Sequence, residues 1–317
     1  MCLLILVAVL VLTPFGVLQA EPFAYITNQG DDTVSVIDLV NNNVVATIAV
    51  GHRPAGVAAD HSGKRVYVTN PESQNISVID AKSNQVVKTI AVGEGPLAIA
   101  ISPDDRYVYI ADWYESRISI LDTASLDITG FIRVGKSPSG IAVDPDGKRI
   151  YIANRDDDNL MIVDLEHQEV IATIPVGDAP FGVTLAPDRH QLYVANVRSN
   201  DISVIDLNTR TVMSNIKVGL FPYAIAYDRA NGRLFVTNQR DDSVSVIDLE
   251  KSETIDTLSV PEYPEGIAML PSGKAVFVVT WFDGIVTAID PISLKIMAKI
   301  KTGEGSRAYG EFISPRN

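Results

Sequence analysis

The sequence predicts an all-β chain, a seven-bladed β-propeller of four-stranded antiparallel blades. Three observations predict it. An aromatic residue opens a short apolar run at Tyr25, Tyr67, Tyr109, Tyr151, Tyr193, Phe235 and Phe277, each 42 residues after the last. An aspartate closes a Ser-Val-Ile-Asp-like run with the same step, at Asp38, Asp80, Asp122, Asp164, Asp206, Asp248 and Asp290. Each copy holds four short strand-like runs, and helical periodicity is missing after residue 20. A constant period of this length marks a repeat architecture, and four-stranded units that cannot bury both faces alone do so around a ring.

Residues 56–93 show the elements of one copy. Gly56 to Asp60 is a short strand ending in the turn His61-Ser62-Gly63, and Val66 to Asn70 is the second strand. After a polar loop, Ile76-Ser-Val-Ile-Asp80 alternates as a half-buried strand does, and Val86 to Val92 is the fourth. The glycines leaving the fourth strand (Gly51, Gly93, Gly135, Gly177, Gly219, Gly303) are expected at positive φ, and the prolines from Pro54 to Pro264 stiffen the crossings between blades. The Asp series and the Asn series (Asn28, Asn70, Asn154, Asn196, Asn238) are expected to bond turn backbone. The repeat begins with three strands of a blade, residues 24–50, and ends with a lone first strand, Ala308 to Ile313. Pairing these two pieces in one blade would close the ring and remove a free sheet edge.

The bulk numbers bound the function. A hydrophobic fraction of 46% is ample for one large core, and the unbroken repeat makes residues 21–317 a single domain. A net charge of −13 opposes general nucleic-acid binding, which needs Lys and Arg against phosphates. It also opposes adhesion to an anionic membrane. Residues 1–20 read as a cleaved signal peptide: Leu3 to Leu12 is apolar, Pro14 and Gly16 break the run, and Ala20 precedes the mature Glu21. No Lys or Arg precedes the run, which leaves open a start further upstream, and Leu18 is large for its place. An uncleaved anchor is the competing reading, although the run is short of the ~20 residues of a membrane span. Cys2 is the sole cysteine and would leave with the signal, so no disulfide or thiolate chemistry is expected in the mature chain. The expectation is an exported monomer of the periplasm or cell surface, with no membrane span after processing.

The runs Tyr25-Ile-Thr-Asn28, Tyr67-Val-Thr-Asn70, Tyr193-Val-Ala-Asn196 and Phe235-Val-Thr-Asn238 resemble the repeat of the YVTN β-propeller family. The Ser-Val-Ile-Asp and Val-Gly-x-x-Pro elements match as well, and residues 303–313 look like the family's closing segment. The resemblance covers the whole mature chain. It implies a seven-bladed propeller in an exported prokaryotic protein, and no single activity. Relatives include surface-layer proteins, nucleic-acid binders, lactonase-like proteins and haem-d1-binding propellers.

Matching positions describe the blade, so a site is sought where the copies disagree. The loops between second and third strands share one face with the crossings, and propeller sites usually lie there over the central channel. Two of those loops carry paired aromatics, Trp113-Tyr114 and Trp281-Phe282, almost opposite each other, and three offer Arg155, Arg198 and Arg240. The residue after the crossing proline varies most: Phe181, Tyr223, Glu265 and, in the last copy, Arg307 are expected to rim the channel mouth, with His52 and Arg53 nearby. These residues suit a planar or anionic small ligand or a protein segment. Nearby acids, among them Asp31, Asp32, Asp157, Asp241 and Asp283, weaken any simple basic patch. Of the four histidines only His52 falls near this face, so no metal site and no cofactor is expected. No Ser-His-Asp order or nucleotide loop is visible. The favoured expectation is a non-catalytic binding or scaffold protein; a lactonase-like or haem-d1-type propeller and a surface-layer component are the alternatives.

Overall fold

A computed structural model of the protein describes residues 21–316. They form seven four-stranded antiparallel sheets arranged as the blades of a ring. One blade contains the strands Val57–Ala59, Arg65–Asn70, Asn75–Asp80 and Gln85–Ala91, within a residue or so of the pattern read from sequence. No α-helix occurs among the described residues; three single 3-10 turns, Pro71–Ser73, Arg155–Asp157 and Pro187–Arg189, interrupt the loops. The seven aromatic markers are all buried between blades, none more than 4% exposed.

Burial corrects the reading of the third strand. Residues 76–79 are buried on both faces, because neighbouring blades sandwich them, and the clean alternation belongs to the outer strand Gln85–Ala91. The polar member of the alternation, Ser77, is 1% exposed. The Asn70 side-chain amide donates to its hydroxyl at 3.0 Å, and Asn28, Asn196 and Asn238 donate likewise to Ser35, Ser203 and Ser245. The asparagines therefore satisfy buried hydroxyls across the sheet, which an unpaired burial would penalise by ~1–3 kcal/mol each. The Asp series does bond turn backbone: Asp206 accepts from the N–H groups of Asn208 and Thr209, both at 2.8 Å.

The glycine expectation also changes. Gly51, Gly135, Gly177, Gly219 and Gly303 are not at positive φ. A Cβ on Gly51 would lie 2.7 Å from the Asn70 side chain, and its counterparts would strike Asn154, Asn196, Asn238 and Asn28 equally closely. These glycines are small because the buried asparagines pack against them. The left-handed residues fall two positions later, at Arg53, Ser137, Ala179, Phe221 and Gly305, and Tyr263 holds the same place after Pro261.

The ring closes in one mixed blade, as the two partial copies require. The strand Ile313–Arg316 pairs with Glu21–Asn28, giving a sheet completed by Thr33–Asp38 and Asn43–Ala49. The closing strand begins later than Ala308, for a reason visible in the register. In the preceding blade Pro264 opposes Thr280 and Ile267 opposes Val278, an inner strand with one extra residue. In the closing blade Ser306 opposes Asn28 and Ile313 opposes Ala24, which leaves three extra. The surplus, Tyr309-Gly310-Glu311, bulges into the central channel. There the N–H groups of Val57 and Ala59 donate to the carbonyls of Tyr309 and Glu311, both at 2.9 Å. Gly310 sits at φ 124°, and a Cβ would lie 2.5 Å from the Val57 carbonyl oxygen, so the bulge requires glycine.

Candidate functional site

The upper face, defined by the crossings and the second-to-third strand loops, is held by a repeated lattice of side chain to backbone bonds. Asp157, Ser199, Asp241 and Asp283 accept the N–H groups of Lys136, Asp178, Leu220 and Glu262 in the crossings entering their blades. Ser73 and Asp31 take those of His52 and Glu304 in the same way. The next loop residue reaches the other way: Asp32, Asp158, Asn200 and Asp242 accept from Arg53, Ala179, Phe221 and Tyr263 in the departing crossing. Most of the acids that seemed to neutralise this face are thus parts of its frame. The Arg53 N–H and then His52 hold the Asp32 carboxyl below the usual aspartate range.

At the centre, the residues expected to rim the channel mouth instead fill it. Phe181 stacks on Tyr223 with ring centroids 4.1 Å apart, and Tyr309 packs edge-on against both at 5.0 and 5.9 Å. The Tyr309 hydroxyl donates to the Phe181 carbonyl at 3.2 Å, so the bulged residue spans the channel. Phe181, Tyr223 and Tyr309 are 5%, 7% and 9% exposed, which makes them a plug and not the wall of an open concavity. Trp113 leans on Phe181 at 6.4 Å, and the Arg155 guanidinium lies 5.6 Å from the Trp113 ring.

A buried polar network crosses the plug. Arg307 Nε meets Glu265 Oε2 at 2.5 Å, an Arg307 amino group donates to the Tyr223 hydroxyl at 2.5 Å, and Gln239 donates to Glu265 Oε1 at 2.7 Å. Glu265 is 4% exposed. Burial alone would make Arg307 easier to deprotonate, but the Glu265 carboxylate reverses that and fixes its charge. Burial raises the Tyr223 hydroxyl well above its usual range, against the pull of Arg307. Arg155 and Arg307 remain partly exposed beside this network, with Arg155 also paired to Asp156 at 2.9 Å.

The other expected residues lie apart. Trp281 packs against Phe282 at 4.7 Å and Tyr263 at 6.1 Å and donates to Gln29, so the two tryptophans belong to separate aromatic groups. Phe282 is 60% and Tyr114 71% exposed, and Tyr114 lies over Gly95. The Arg240 guanidinium lies 4.0 Å from the Phe221 ring, and Arg198 is exposed. His52 is bound to Asp32 at 2.7 Å and Arg53 to Glu72 at 3.3 Å, both at the rim. Sequence reasoning missed Tyr309 and Gln239. The usable signal for Tyr309 was Gly310, since a glycine inside a strand pattern marks a bulge.

No group of three or more His, Cys, Asp or Glu side chains among the described residues is placed to hold a metal, and none of their helices is long and apolar enough to cross a membrane. Asp60 and Asp228, equivalent positions at the lower end of the channel wall, cap their own turns through Lys64, Arg65 and Asn231.

Solved structures resemble the ring. Kuenenia stuttgartiensis hydrazine synthase matches with a TM-score of 0.76 at 20% identity, over 86% of this chain and 92% of that one. A dihydro-haem d1 dehydrogenase, NirN, matches with a TM-score of 0.72 at 15% identity, over 92% and 75%. A functionally unknown protein from Desulfotomaculum acetoxidans matches with a TM-score of 0.79 at 16% identity, over 93% and 99%. At these identities the likeness is one of fold. No curated protein matches the chain. The model of the YNCE-like beta-propeller family matches residues 3–312, and with its seven YVTN-type blades the chain belongs to that family.

Proposed function

We propose that the protein is an exported, non-catalytic binding propeller whose upper face receives a partner or small ligand through an anionic group. The observation that carries this reading is the centre of that face, where Arg155 and Arg307 stand beside Trp113 and the Tyr223 hydroxyl. These residues come from separate blades and occupy positions where the repeat is broken. Several of the acids around them are held in place by backbone N–H groups of the crossings, as parts of the frame that presents this centre. An aromatic surface with guanidinium groups at its edge suits a flat anion or a carboxylate-bearing peptide. The cofactor alternative has weaker support: His52, its one candidate ligand on this face, is held at the rim by Asp32.

The test is NMR of the indole N–H signals of Trp113 and Trp281 during titration with aromatic carboxylates, aromatic amines and neutral aromatics. The expected result is a saturable shift of the Trp113 signal by carboxylates, lost in Arg155→Ala and kept in Arg240→Ala. An unmoved Trp113 signal, or equal shifts by all three classes, would overturn the reading.

A further inference from the structure

The plug closes the channel from above and leaves a chamber beneath it. This cavity holds about 290 Å³. Its roof is Tyr309, and its wall is main chain and aliphatic side chain, chiefly Ile99, Ile141, Val183, Ile225, Ile267 and Met269. The exposure gradient gives its direction. Phe181, Tyr223 and Glu265 above are buried, whereas Ile141, Val143, Leu185 and Met269 below are half-buried and Glu311 is exposed. The chamber is therefore reached from the lower face, opposite the face of the crossings and of Trp113.

Glu311 is the one carboxylate lining the chamber, and no Lys, Arg or His lines it. The bulge places it there, anchored by its own carbonyl to the Ala59 N–H. Its carboxyl takes no hydrogen bond from any described residue. The one other side-chain polar group of the wall besides Tyr309, the Thr184 hydroxyl, is spent on the Ile225 carbonyl at 2.8 Å. The titratable groups that face Glu311 from the lower turns are His61 and Asp105, and these are bound to each other at 2.8 Å. Desolvation against the aliphatic wall raises the Glu311 carboxyl above its usual range, with His61 opposing this and Asp105 adding to it, while the residue as a whole stays exposed at the chamber's mouth. No cationic side chain lines the chamber beside it, so a ligand can bring the counter-charge.

We propose that the lower chamber binds a small organic cation, a primary ammonium on a short aliphatic chain, with the ammonium on Glu311 and the chain along the wall beneath Tyr309. The volume sits at the small end of ligand pockets, which fits a molecule of few heavy atoms. A bare metal ion fits less well, because a single carboxylate would be its only charged ligand.

Calorimetry with n-butylammonium, 1-butanol and butyrate tests this on the mature protein. The expected result is saturable binding of butylammonium, with at least tenfold weaker binding of the alcohol and the acid. Glu311→Gln should weaken butylammonium at least tenfold while leaving the affinity for butanol unchanged. Labelled methyl groups of Met269 and Ile225 should shift on titration, and Trp113 should not, which separates this chamber from the upper face. No binding to the wild type, equal affinities for butylammonium and butanol, or undiminished affinity in Glu311→Gln would each overturn the proposal. Should the variant fail to fold, the comparison of the three ligands on the wild type decides alone.

Discussion

At the scale of single residues, Arg307 and Glu265 are worth more to each other than to the fold. The Glu265 side chain is 5% exposed and that of Arg307 16%, so removing Glu265 strands a largely buried guanidinium, at a cost of ~3–5 kcal/mol. Replacing both with apolar residues avoids that penalty. Glu265→Leu should therefore lower urea-derived stability by about 3–5 kcal/mol, while Glu265→Leu with Arg307→Met should recover most of the loss. A double variant no more stable than the single one would show that the pair itself holds the plug together. The two residues were visible in the sequence as mismatches against the repeat. Their contact was not, because it turns on how two side chains at equivalent places in adjacent blades lean towards each other, which the repeat does not encode. Tyr309 was hidden by the three extra residues of the closing blade: alignment to the other copies places it in a regular strand, and only Gly310 hints otherwise.

At the scale of elements, the legible features were those enforced locally. Strand positions, turn aspartates and the order of blades follow from alternation and turn chemistry, which act within a few residues. The glycine and asparagine series were recognised as scaffold but explained only in part: Gly93 is at positive φ and Asn28 accepts the Gly303 N–H, whereas the other glycines pack on asparagine side chains and the asparagines bond hydroxyls on the neighbouring strand. The turn aspartates give a pH prediction. Asp122, Asp164, Asp206, Asp248 and Asp290 are held below the ordinary 3.8, first by backbone N–H groups three residues on. A carboxyl depressed in the folded state adds stability that is present above its unfolded value and lost as pH falls through the folded one. The urea midpoint should hold between pH 7 and about 5 and fall below about pH 4. Asp206→Asn with Asp248→Asn should flatten that fall, since Asn keeps the turn acceptor without titrating. An unchanged acid slope in the double variant would remove these caps as its cause.

At the scale of the whole molecule, ring closure rests on one short seam. Ile313–Arg316 lies against Glu21–Ala24, and Phe312 beside it is fully buried in the cluster shared with Tyr25 and Phe277. Phe312→Ala should cost about 3–5 kcal/mol, as large core truncations do. Val87→Ala, on an outer strand where the side chain is 56% exposed, should stay within about 0.5 kcal/mol. Comparable losses at the two positions, read by chemical denaturation, would mean that the seam is no more critical than the rim. The loop lattice has a different consequence, one of modularity. In six of the seven loops the third residue past the second strand, and in four of them the fourth as well, is spent on bolting adjacent crossings, while the two before them, such as Arg155-Asp156 or Trp281-Phe282, carry the variation. The upper face is thus a fixed chassis with seven exchangeable dipeptide cassettes. A lineage of such rings can change its upper surface two residues at a time without disturbing the blades that present it.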